Sequence, residues 1–73
     1  MSLEQQVLYE CYKNYQKGVT KTTLYYQNFA ADKIMRSLLS HLEDKGILDI
    51  HGQAIGMAIC SLTDYGISYC ESF

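Results

Sequence analysis

Apolar residues along this chain recur first at helical spacing, then at alternating spacing, then helically again. Over residues 3–16, Val7, Leu8, Cys11, Tyr12 and Tyr15 share one side of a helix, and Gln6, Glu10, Lys13 and Asn14 share the other. Ser2, followed three residues later by Gln5, has the form of a capping box, and Gly18 is placed to end the helix in a left-handed turn. A clearer stripe comprises Ala31, Ile34, Met35, Leu38, Leu39 and Leu42, with Lys33, Arg36 and Ser40 opposite. It predicts a helix over 31–45, stopped by Gly46, with Lys45 at the negative end of its dipole. ILDIH (47–51) and MAICSL (57–62) read as strands around the glycines of GQAIG, which predicts a hairpin over 47–62. Thr63 or Asp64 caps a last helix over 64–72, in which Tyr65, Tyr69 and Phe73 share a face and Gly66 is unfavourable. The stretch VTKTTLYYQ (19–27) is ambiguous. Val19 and Thr20 suit a very short strand, whereas Thr22 or Thr23 can cap a short helix over 22–28 anchored by Leu24.

This order describes one domain, residues 1–73, mainly α with a small β-hairpin laid against the helices, because two strands alone are marginal in water. No apolar run reaches the ~20 residues of a membrane span. The start, MSLEQQVLYE, lacks the basic segment and long apolar stretch of a signal peptide, so a cytoplasmic location is expected. Cys11, Cys60 and Cys70 have no C-x-x-C spacing and read as small buried hydrophobes rather than a disulfide framework. Neither they nor His41 and His51 are spaced as a metal knuckle, and no acid and base are paired, so neither metal, cofactor nor enzymatic activity is expected. The formal net charge of −2 is not the footprint of a strongly basic nucleic-acid binder, which moves the question to where the six cations sit.

Two phrases then carry a resemblance. L-E-D-K-G-I-L (42–48) resembles the end of the second helix of a helix-turn-helix entering the wing of a winged-helix domain, as in the MarR and PadR groups. S-L-T-D-Y-G (61–66) is similar to the phrase at which the wing's return strand meets a C-terminal helix in those families. Leu24 stands where they place the anchor leucine of the first helix of the pair, and the match covers roughly residues 5 to 70. Two places depart from the pattern. Phe29 and Ala31 stand where a small residue and a Ser or Thr cap are usual, and the wing tip GQAIG has no Arg or Lys.

The resemblance implies a winged helix-turn-helix: a three-helix core, a two-stranded wing and a short C-terminal helix. It also implies double-stranded DNA as the partner of a small transcription regulator, with the 31–45 helix in the major groove. The candidate DNA-binding residues are Lys17, Lys21, Thr22, Thr23, Lys33, Arg36, Ser37, Ser40 and His51, with Arg36 suited to a bidentate guanine contact. A solvated, salt-bridged helix face beside Asp32 explains Lys33 and Arg36 equally well. Seven tyrosines are more than so small a core holds, and the terminal helices are the usual dimerisation elements of this class. Leu8, Tyr9, Tyr12, Tyr65, Tyr69 and Phe73 are therefore expected at a homodimer interface. Tyr25 and Tyr26 could stack on single-stranded bases. The competing function is a winged helix that binds a protein partner, as an adaptor or an inhibitor of a host factor. A free-standing domain of this size resembles regulators of phages, plasmids and archaeal mobile elements.

Overall fold

The computed structural model describes residues 2–28 and 30–72. Local chemistry sets both ends of the first helix, α1 (Leu3–Gln16). The Ser2 hydroxyl accepts from the Gln5 N–H at 3.1 Å, and the Gln5 side chain accepts from the Ser2 N–H at 2.9 Å. At the other end Gly18, with φ 85°, lets Val19 N–H reach back to the Asn14 carbonyl at 2.9 Å. Helix α2 (Asp32–Asp44) closes in the same way, through Gly46 with φ 76° and an Ile47 N–H bond to the Leu42 carbonyl at 3.0 Å. Its bounds lie within a residue of the predicted 31–45, and the hairpin and last helix also form: β2 (Leu48–Ala54), β3 (Met57–Leu62) and α3 (Asp64–Glu71).

The segment expected as a short helix over 22–28 is a strand, β1 (Thr22–Tyr25). Thr22, Leu24 and Tyr26 are buried while Thr23 and Tyr25 are exposed, a period of two that only an extended chain produces. β1 pairs antiparallel with β3, Thr22 opposite Cys60 and Leu24 opposite Ala58, so the two-residue alternation is rewarded by a partner far away in sequence. Val19 and Thr20, considered for a strand, lie before it. The fold is thus mixed α/β, the described residues forming three helices and a three-stranded antiparallel sheet in the order β1-β3-β2. The expected three-helix core is replaced by two helices and a sheet, and among the described residues no helix precedes α2 as the first member of a helix-turn-helix.

The core lies on one face of that sheet. Thr22 and Leu24 of β1, Leu48 of β2, and Ala58 and Cys60 of β3 meet Val7, Leu8 and Cys11 of α1 and Met35, Leu39 and Leu42 of α2. α1 packs on β3 and β1, and α2 packs on β2. Ile34, predicted within the apolar stripe, is instead 59% exposed. Tyr15 is likewise exposed on α1.

β2 runs further than the glycines suggest. Gly52 stays in the strand, and Ile55 and Gly56 alone make the turn, Gly56 with φ 74°. Ile50 faces Cys60 and Gly52 faces Ile59, so His51 is an extra, bulged residue. The bulge reverses the parity of everything beyond it: Gln53, opposite Ala58, joins the α2 side of the sheet.

α3 is anchored by the residues that carry the second family phrase. The Thr63 hydroxyl accepts from Gly66 N–H at 2.8 Å and donates to the Gly46 carbonyl, and Thr63 N–H bonds the Ile47 carbonyl at 3.1 Å. Gly66, expected to weaken the helix, is buried where any Cβ would collide with the Ile47 carbonyl. Its absence of a side chain is what lets α3 approach the start of β2. Gly66→Ala is therefore expected to lower stability by about 2 kcal/mol or more in urea unfolding. Gly52→Ala, into open space, should change it by well under ~1 kcal/mol. Equal effects at the two sites would contradict the close approach.

Candidate nucleic-acid interface

The exposed face of α2 is organised by its first residue. Asp32 Oδ1 accepts from the Tyr26 hydroxyl at 2.9 Å and from Gly56 N–H at 3.1 Å, while Oδ2 accepts from Arg36 Nε at 2.6 Å. One carboxylate thus ties the end of β1 and the hairpin turn to the first turn of α2, where the helix dipole also favours an anion. The Gly56 N–H, then Arg36 and Tyr26, hold the Asp32 carboxyl below its usual range. Burial, and then Asp32, push the Tyr26 hydroxyl upward, so it remains a donor at neutral pH. Tyr26 is wholly buried, which removes it from any stacking role; Tyr25 beside it is 73% exposed.

Arg36 also leans toward the hairpin, with Nη1 3.4 Å from Gln53 Oε1. Between α2 and β2 a shallow cleft of about 500 Å³ is lined by Arg36, Ser40, Glu43, Ile50, His51, Gly52 and Gln53. Three predicted DNA-binding residues, Arg36, Ser40 and His51, are therefore brought together. His51 is spoken for in part: its Nε2 lies 2.7 Å from Ser61 Oγ on β3. Glu43, near the C-terminal end of α2, shares the cleft and accepts from Ile50 N–H at 3.3 Å. Lys33 and Ser37 are exposed on α2.

The upstream candidates do not join this face. Thr22 is 4% exposed and its hydroxyl accepts from Asn14 Nδ2 at 3.1 Å, so it cannot meet a phosphate. Thr23 points to the sheet face away from the core. Lys17 and Lys21 are exposed, but Lys21 enters β1, the opposite sheet edge from β2 and about 10 Å from it.

The expected dimer residues divide. Leu8 belongs to the core. Tyr12 is half-buried and donates to Glu71 Oε2 at 3.2 Å, which joins α1 to α3 within the chain. Tyr69 packs partly on the core, with its ring 6.3 Å from that of Tyr65. Tyr9 and Tyr65 remain exposed, and Phe73 lies outside the described residues, as does Phe29. Tyr9 and Tyr25 instead flank an apolar groove of about 470 Å³ between α1 and β1, floored by Val7, Leu24 and Met35.

Gln53 and Glu43 were missed as site residues because the bulge that turns Gln53 inward has no signature in a single strand. Asp32 was legible only as the i, i+4 partner of Arg36; its links to Tyr26 and Gly56 are tertiary. Among the described residues no group of His, Cys, Asp and Glu could hold a metal ion, and no helix is long and apolar enough to cross a membrane. No protein-family model, curated protein or solved structure matches the chain.

The carboxylate hub has a pH signature. Because the folded-state value of Asp32 lies below its ordinary value near 3.8, its contribution is present above that value and is lost as pH falls through the lower folded one. Asp32→Asn is expected to unfold at lower urea than the wild type at neutral pH. The gap should close on acidification to well below the ordinary carboxylate range, as the wild-type carboxyl also protonates. A gap independent of pH would show that charge at this position does not hold the turn.

Proposed function

We propose that this chain is a reduced winged-helix domain that binds double-stranded DNA through α2, as a small transcription regulator. The observation that carries the reading is the exposed α2 face bearing Lys33, Arg36, Ser37 and Ser40 beside a hairpin whose bulge residue, His51, rims the same cleft. The order helix, strand, helix, hairpin, with β3 between β1 and β2, supports the winged-helix assignment; the helix usually preceding the recognition helix has become part of β1 and its loop. Asp32 holds the Arg36 guanidinium in one orientation, which lowers the entropy cost of a bidentate contact to guanine. Lys33 lies in the first turn, where the dipole attracts phosphate. Tyr9 and Tyr65 supply the exposed aromatic area for a homodimer.

A second reading has its own support. The apolar groove flanked by Tyr9 and Tyr25, the acidic Glu43 within the cleft and the exposed Ile55 at the hairpin tip suit a protein partner better than a duplex.

Fluorescence anisotropy with a mixed-sequence duplex separates the two. If the two α2 cations, Lys33 and Arg36, meet the duplex, affinity should fall roughly tenfold between about 50 and 200 mM salt. Lys33→Ala should reduce the salt slope by about one, and Arg36→Ala should weaken binding by roughly tenfold or more with the helical signal retained. No binding at the lower salt sinks the regulator and leaves the protein-partner reading. For the dimer, sedimentation of the wild type should give twice the chain mass and Tyr65→Ala a lighter species; a monomeric wild type rules it out.

A further inference from the structure

The three cysteines, scattered in sequence, converge in the fold. Cys11 on α1 and Cys60 on the central strand face each other inside the core, with their Sγ atoms 3.6 Å apart. Cys70 on α3 packs on the same cluster, half-buried, close enough for Cys11 to act on its thiol electrostatically. We propose that Cys11 and Cys60 form a disulfide that staples α1 to β3, with Cys70 left as the single free thiol.

The geometry asks little of the chain. A disulfide needs its sulfurs about 2.05 Å apart, so roughly 1.5 Å must be closed by rotating two small side chains about their χ1 bonds. The two residues are separated by 49 positions and belong to elements already packed together, so the bond closes a long loop between neighbours in the fold. The chain is also at the size where a cross-link matters most, since a single core this small leaves a thin margin of stability.

The chemistry balances with a low-molecular-weight disulfide as oxidant. A Cys11 or Cys60 thiolate attacks one sulfur of the oxidant, breaking its S–S bond and releasing one thiol. The second cysteine then attacks the mixed disulfide, forming the Cys11–Cys60 bond and releasing the other thiol. Two cysteine sulfurs are oxidised, the external disulfide is reduced, and the two protons leave on the released thiols. The contact with Cys11, together with burial, pushes the Cys60 thiol upward, and burial does the same to Cys70. The contact with Cys60 instead lowers the Cys11 thiol, which makes Cys11 the attacking thiolate, and burial of both sulfurs keeps formation and reduction of the bond slow.

The test is incubation of the folded chain with glutathione disulfide at mildly alkaline pH, followed by unfolding in an alkylating agent and peptide mass mapping. The expected result is one alkylated thiol, at Cys70, a Cys11–Cys60 linked peptide, and a Tm raised by roughly 10 °C or more. Cys70→Ser should keep both the linkage and the shift, and Cys60→Ala should abolish them. Three alkylated thiols, a linkage involving Cys70, or an unchanged Tm in the linked protein would each overturn the proposal. Because the mapping is done on the wild type, failure of Cys60→Ala to fold leaves it decisive.

Discussion

The backbone carbonyl of Ile47 is the point on which this fold turns. It accepts the Thr63 N–H and lies under Gly66, while the Ile47 N–H closes the end of α2. Four elements meet there: α2 ends, β2 begins, β3 ends and α3 begins. The two phrases that suggested a known architecture, one around Gly46 and one around Thr63, are far apart in sequence but form a single joint. Each glycine has a separate reason. Gly46 takes a backbone conformation that L side chains rarely adopt, and Gly66 vacates the volume a Cβ would need. Without the joint the hairpin would have no fixed angle to α2, and the sheet could not present one face to both helices.

At the other end of the hairpin, Asp32 does the corresponding work with charge. Its carboxylate gathers the Gly56 N–H, the buried Tyr26 hydroxyl and the Arg36 guanidinium, so the turn, the end of β1 and the first turn of α2 share one anion. The hairpin is thus held at both ends, by backbone packing at Ile47 and by a satisfied carboxylate at Asp32. Strand β3 between them carries partners on both sides, and its small core residues, Ala58 and Cys60, leave room for α1.

The proposed function rests on the same two anchors. The α2 face and the β2 edge form one cleft only because the bulge at His51 turns Gln53 inward toward Arg36. The Arg36 guanidinium is oriented by the residue that holds the turn, so folding and the proposed recognition on this face would share a group. Lys17 ends α1 and Lys21 leads into β1, the opposite sheet edge from β2, which confines the proposed DNA contact mainly to α2 and the hairpin.

The long helix, the hairpin, the last helix, and the Ser2, Gly18 and Gly46 ends of the helices were legible in the chain because each rests largely on contacts within a few residues. A 3.6-residue stripe, a Ser–Gln capping box and a glycine after a lysine need no distant partner to declare themselves. The strand at Thr22–Tyr25 did not declare itself, since threonine and tyrosine at alternate positions also suit a capped turn of helix, and only pairing with β3 decides between them. The fate of the tyrosines was decided the same way. Tyr26 is buried because Asp32 accepts its hydroxyl, Tyr12 is spent on Glu71, and Tyr9, Tyr25 and Tyr65 stay exposed where nothing covers them. Sequence alone determined where the chain could bend and which helix would carry the cations. Tertiary structure decided which polar groups are already satisfied, because a hydrogen bond to a carboxylate six or twenty-four residues away leaves no trace in local spacing.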